Sequence, residues 1–418
     1  MASSPTRDRE PPARAGAAIV ILAALTGLTP LATDMYIPAF PAMSNEFSAS
    51  SSAIQASIAA YMLGLVLGQL LLGPISDRTG RRKLLIAGAW LFALFSAACV
   101  MAADASVLAV LRFLQGLAGA VGMVLARAVI GDWYRGADAA KRFSVLTMIF
   151  AVGPILAPVL GGLLLGVGSW RLIFAGLTAS GVVLALATQA WVPESLPRER
   201  RHGGSLAHVF RTMAALLRQR AFVGYVLVFA CSTVALFAYL AAASFVLQGI
   251  FGLSEWATSL LFGLNALGML AGGALFGALS KHTHLHNFLI VGVVLGIVSA
   301  AVQWLFAGLL IPTLAALFVA MLALGLLFPA SMAAGQAETP HAPGGGSALL
   351  GAGQCLFGAA AAPLVGLFGT ASAKPMAALM MIGFAMAGVA LLLLVRPWRR
   401  QGAPGGRFGA SPGDGRLA

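Results

Sequence analysis

Residues 73–83 read GPISDRTGRRK, which places Asp77 among four cations and two glycines, Gly73 and Gly80. Apolar runs flank this charged stretch on both sides, over 53–73 and 84–103. Each is about 20 residues long, and a helix of that length crosses the roughly 30 Å hydrocarbon core of a bilayer. The stretch therefore reads as a charged turn between two membrane-crossing helices. Ten further runs obey the same rule, at 15–39, 107–131, 143–166, 171–192, 222–247, 257–279, 288–308, 313–333, 345–368 and 375–396. The fold class expected is an all-α integral membrane protein with twelve transmembrane helices.

Composition excludes a soluble domain. Of 418 residues, 60% are apolar and 9% charged, against about 25% charged in soluble proteins, and mean hydropathy is +0.92. The net charge of +13 reports topology rather than nucleic acid. With the N-terminus inside, 22 of the 26 Lys and Arg fall in cytoplasmic segments, Arg171 and Lys374 fall outside, and Arg112 and Arg127 lie within spans. This positive-inside bias puts both termini in the cytoplasm and makes the lipid bilayer the partner. The first run follows a tail with Arg7, Arg9 and Arg14 and is longer than a signal-peptide core, so it is expected to be retained. Cys99, Cys231 and Cys355 all fall in spans and read as packing residues without disulfides.

Residues 193–221 interrupt the apolar pattern with Pro, Gly and six arginines, and include an amphipathic stretch near 205–218. This cytoplasmic linker divides the chain into an N-terminal six-helix bundle (1–192) and a C-terminal one (222–396), followed by a Gly, Pro and Arg-rich tail (397–418) expected to be disordered. The halves share landmarks. Gly153, Pro158 and Gly161 recur 205 residues later as Gly358, Pro363 and Gly366, and the 73–83 turn maps at an offset of 204 onto GALSKHTHLHN (277–287), where Lys281 replaces the aspartate. Two pseudo-symmetric bundles imply a site near the midplane between them.

Inside a membrane an ionisable residue is a functional candidate, because its burial is costly. Of thirteen acidic residues, Asp34 alone lies clearly within a run, and all six histidines fall in cytoplasmic segments. Pro30 and Pro38 bracket Asp34 in TPLATDMYIPAF and weaken the local helix. Asp34 and Arg112 each lie about five residues from the outer end of their runs, at one depth, so Arg112 is a candidate partner. Burial favours the neutral carboxyl and a guanidinium favours the carboxylate, a balance suited to proton exchange; a structural ion pair is the alternative. Arg127 and Asp132, five apart, are poorly spaced to pair with each other and fit gating or structure better than substrate contact. Small residues four apart, Gly268/Gly272 and Gly273/Gly277, mark helix-packing seams. His282, His284 and His286 have no carboxylate or cysteine nearby, so no metal site is expected. No nucleophile–base set and no GxxxxGK[ST] loop is present, which argues against an enzyme, an ATP-driven pump or any cofactor.

With these residues in view, the chain resembles drug:proton antiporters of the major facilitator superfamily, and more narrowly the bicyclomycin/chloramphenicol-resistance (Bcr/CflA-type) efflux pumps of bacterial inner membranes. The matching segments are TDMYIPAFPAM (33–43), GLVLGQLLLGPISDRTGRRK (64–83), RFLQGLAGAVG (112–122), ARAVIGDWY (126–134), GPILAPVLGG (153–162), SWRLIF (169–174) and PHAPGGGSALLG (340–351). The resemblance implies that Asp34 is the membrane-embedded acid and Arg112 the arginine linked to proton coupling. It assigns Gly73, Asp77, Arg78, Gly80 and Arg81 to a gating loop and Gly153, Pro154, Pro158, Gly161 and Gly162 to the antiporter motif. It further implies a monomeric exporter of small hydrophobic or amphipathic molecules, exchanged for protons. The second copy of the loop has lost its acid, so any such gate is asymmetric. Tyr36, Tyr61, Gln115, Tyr239, Asn265 and Gln354 are the expected lining of an aromatic, weakly polar cavity. A proton-linked carrier of one metabolite, or a non-transporting receptor of the same fold, remains open on sequence alone.

Overall fold

The computed structural model describes residues 15–396 apart from 135, 202–210, 212, 281, 340–342, 368, 370 and 371. The first crossing is composite: α1 (Ala15–Asp34), a 3-10 turn (Ile37–Ala39) and α2 (Phe40–Glu46). After it come α3 (Ser51–Thr79), α4 (Arg81–Val100), α5 (Ala105–Trp133), α6 (Gly136–Val167) and α7 (Arg171–Trp191). The second set begins with α8 (Arg220–Ser244), continued by a π-helical stretch (Phe245–Ile250), then α9 (Glu255–Leu279) and α10 (Leu285–Leu305). It ends with α11 (Leu310–Ala337), α12 (Pro343–Leu367) and α13 (Lys374–Ala390). Eleven crossings are long and apolar enough to span a membrane; in the remaining one, α6, the described apolar stretch is Leu156–Val167. A helix satisfies its own backbone groups, which lipid requires. Leu63, Leu67 and Leu71 on α3, and Leu260, Leu264 and Leu267 on α9, remain exposed at helical spacing, as lipid-facing stripes should.

Helix pairing repeats between the two sets. In the first, α3 packs on α5, α1 on α6 and α4 on α7; in the second, α9 packs on α11, α8 on α12 and α10 on α13. Two cross-pairs, α3 with α12 and α6 with α9, join the bundles. Close backbone approach serves these seams. A Cβ at Gly272 would meet the backbone of Leu322 and Gly325 on α11, and Gly268 lies against Phe318. The second expected seam does not form: Gly277 has open space around it and Gly273 only an ordinary contact with Gly325. Cys99, Cys231 and Cys355 are free and buried. Half of the amphipathic stretch near 205–218, and the tail beyond 396, lie outside the described residues.

Two boundaries differ from the sequence reading. The first crossing does not stop at 39 but runs to Glu46, because the chain resumes a helix after the break around Pro38. Asp34 therefore lies twelve residues before its end, deeper than expected. The charged turn is also mostly helix. Residues 73–79 are the end of α3, running on past Pro74, and α4 begins at Arg81, so the turn is Gly80 alone, at φ +98°.

Candidate functional site

The break that ends α1 creates the first site. Pro30 lies inside α1, and Pro38 opens the 3-10 turn. A proline ring cannot donate a backbone hydrogen bond, so the helix stops at Asp34 and restarts at Phe40. Helix α6 clasps this segment through its glycines. A Cβ on Gly153 would strike the Pro30 ring, one on Gly161 would strike the Met35 carbonyl, and one on Gly162 would strike Ser259 of α9. Pro158 is buried on the same helix. The antiporter-like motif thus packs around the residues on either side of Asp34 and reaches the second bundle.

Asp34 is 5% exposed. Among the described residues its carboxylate has no ion pair within 4.0 Å, so Arg112 acts on it through space. The guanidinium of Arg112 is committed elsewhere. It donates from Nη2 to the Ala32 carbonyl at 2.8 Å and from Nη1 to Gln115 Oε1 at 2.5 Å, while Gln115 Nε2 donates to Ser96 Oγ at 2.7 Å. Its carbon lies 4.5 Å from the ring centre of Tyr36 and 4.2 Å from that of Tyr61, with Phe174 beyond. Tyr36 is bonded to Ser57 Oγ at 2.8 Å. Carbonyl dipoles and π faces thus take the place of a carboxylate around this arginine. Arg112 is fully buried, yet its Nε has no hydrogen-bond partner. The alternative of a structural Asp34–Arg112 ion pair is not formed among the described residues; a caged arginine stands near the acid instead.

The six expected lining residues divide. Tyr36, Tyr61 and Gln115 build the Arg112 cage. In the second bundle, Asn265 Nδ2 donates to the Tyr239 hydroxyl at 3.0 Å, and Phe262 packs on the Tyr239 ring. Gln354 is half-buried on α12.

The charged turn forms a second cluster. Arg81 bonds Asp77 Oδ1 at 2.8 Å, Asp132 Oδ2 at 2.9 Å and Ser76 Oγ at 2.6 Å, and Ser195 Oγ donates to Asp132 at 2.7 Å. Arg81 is the centre of these contacts; Arg78 is exposed near the end of α3. Gly73 has open space around its Cα, so packing does not require a glycine there. Glu194, at the start of the linker, accepts from the Arg81 backbone N at 2.8 Å and pairs with Arg201 at 3.5 Å. An anion at a helix N-terminus satisfies otherwise orphaned donors. Arg82 in turn caps the end of α7, donating to Val192 O at 2.8 Å and Gln189 O at 2.7 Å. Gly80 is needed for its positive φ and because Glu194 and Arg201 press on it. Arg127 stays outside this cluster, exposed on α5 and without an ion pair among the described residues. Glu194, Ser195 and Arg201 escaped the sequence reading. The one signal was an acid directly after an apolar run, in an otherwise arginine-rich linker.

Two packed helical bundles, a buried acid at a broken helix and a charged clamp at one end define a multi-pass membrane transporter, not an enzyme. The chain belongs to the Major Facilitator Superfamily, whose family model matches residues 22–363. It is 36% identical to the uncharacterized MFS-type transporter YdgK of Bacillus subtilis, over 90% of this chain and 94% of that one. It is 28% identical to multidrug resistance protein D of Escherichia coli, covering 80% and 84% of the two chains. With the bicyclomycin resistance protein homolog of Haemophilus influenzae the identity is 29%, over 60% and 63%. In fold it matches an inward-facing bacterial homolog of the human lysosomal transporter Spinster, with a TM-score of 0.72 at 15% identity, covering 98% and 100% of the two chains.

Proposed function

We propose that this protein exports small hydrophobic or amphipathic molecules across a bacterial inner membrane in exchange for protons, with both termini in the cytoplasm and the monomer as the working unit. The carrying observation is Asp34: a buried carboxyl at a helix break, without an ion-pair partner among the described residues, near a caged arginine and on a segment hydrogen-bonded to the second bundle. Relatives named for bicyclomycin and multidrug resistance support drug-like substrates. Protonation and substrate binding at the seam oppose each other, and by linkage each weakens the other equally. A proton gradient supplies about 1.4 kcal/mol per pH unit and a membrane potential about 2.3 kcal/mol per 100 mV. The site between the bundles is formed by Asp34 with the Tyr239–Asn265 pair, and one membrane acid suits neutral or singly charged compounds.

Everted vesicles with an acidified interior and a pH-sensitive dye test this reading. Bicyclomycin, chloramphenicol and lipophilic cations are added to wild type and to Asp34→Asn. Compound-triggered proton efflux in the wild type alone is the expected result. Equal efflux in the variant would remove Asp34 from the mechanism.

A further inference from the structure

The two bundles are hydrogen-bonded to each other at the end opposite the 73–83 turn, and the acceptors are main-chain carbonyls. Ser244 Oγ donates to Ile37 O at 2.8 Å and Gln248 Nε2 to Pro38 O at 2.8 Å. In the other direction Gln55 Nε2 donates to Ala241 O at 2.9 Å, and Ser52 Oγ to Pro363 O at 3.2 Å. Phe40 and Phe245 face each other with ring centres 6.2 Å apart.

Two of these acceptors, Ile37 O and Pro38 O, lie in the break of the first helix. The Ile37 carbonyl accepts from Phe40 N within the 3-10 turn and takes Ser244 Oγ as a second donor; an unbroken helix would offer it no N–H four residues on, since that position is Pro41. On the donor side, α8 widens into its π-helical stretch beside Ser244 and Gln248. Gln55 is fully buried, and its Oε1 has no partner among the described residues, so its bond to Ala241 is made at the cost of an unsatisfied acceptor. Such a contact is held by the closed seam and breaks when water enters. Asp34 is three residues before Ile37, on the same broken segment.

We infer that Ser244, Gln248 and Gln55 form a latch closing the end opposite the charged turn, and that residues 34–38 connect the acid to it, so that a change at Asp34 shifts the carbonyls the latch grips. This inference rests on alternating access in the proposed function but not on the transported compound. Each bond lost raises the ratio of open to closed molecules roughly fivefold, the value of one ordinary hydrogen bond.

The test places spin labels at Asn45 and Leu253, on the two sides of the seam at that end, in the full-length protein in lipid vesicles. Distances are measured with Ser244→Ala, Gln248→Ala, Gln55→Ala and the triple variant, with Ser244→Thr keeping the hydroxyl. The long-distance population should grow about fivefold per alanine, and Ser244→Thr should match wild type. Across a pH series the wild-type distribution should shift, and Asp34→Asn should hold it constant. An unchanged distribution in a monodisperse triple variant overturns the latch. A latch effect with a pH response that survives Asp34→Asn keeps the latch but overturns the connection. Failure of the dye assay with a working latch overturns only the antiport reading.

Discussion

Replacing Arg81 with Gln removes the centre of the charged clamp. Three contacts are lost, to Asp132 at 2.9 Å, Asp77 at 2.8 Å and Ser76 at 2.6 Å. Their energies differ because their surroundings differ. The Arg81 and Asp132 side chains are 11% and 20% exposed, whereas Asp77 is 49% exposed. A charged hydrogen bond with partly buried ends contributes about 1.5–3 kcal/mol, and an exposed pair about 0.2–1 kcal/mol. Arg81→Gln should therefore cost about 2–4 kcal/mol, Asp132→Asn about 1.5–3 kcal/mol and Asp77→Asn under about 1 kcal/mol. The measurement is SDS-driven unfolding in mixed micelles followed by tryptophan fluorescence, arranged as a double-mutant cycle on Arg81 and Asp132. A coupling of about 1.5 kcal/mol or more is expected. Additivity within about 0.5 kcal/mol would show that the two residues act independently and refute the clamp.

Gly161→Ala places a methyl group against the Met35 carbonyl and should cost about 1–3 kcal/mol with loss of transport, whereas Gly277→Ala, in open space, should stay within about 0.5 kcal/mol in the same unfolding assay. Gly80→Ala forces a non-glycine residue to φ +98° beneath Glu194 and Arg201; thermal shift in detergent should fall, by about 1–3 kcal/mol if converted. Arg112→Lys keeps the charge but loses the planar contact with Tyr36 and Tyr61 and one of the two donors used on Ala32 and Gln115. It should lower stability by about 1–3 kcal/mol and reduce export, and full retention of both would show that charge alone suffices there.

The one-dimensional pattern determined most of the architecture. Apolar runs of bilayer length must become helices, since lipid offers no other partner for the backbone, and this holds for each run separately. Asp34 was legible as a candidate for the same reason: a lone acid in an apolar run stands out without a structure. A charged turn was legible within 73–83, but not that it narrows to Gly80 alone. What needed the tertiary structure were the partners. Arg112 could be placed at the depth of Asp34, but not on the Ala32 carbonyl between two tyrosine rings, since helix rotation decides which group meets which. Arg81 became the clamp's centre because α3 continues to Thr79 and the chain turns only at Gly80, which sets Arg81 at the start of α4 within reach of both Asp77 and Asp132. Glu194 joined from 113 residues away, and the latch from more than 180, distances over which sequence spacing carries no geometric information. Helix formation is local and written in composition; pairing across helices is set by how finished helices pack, and only the folded chain decides it.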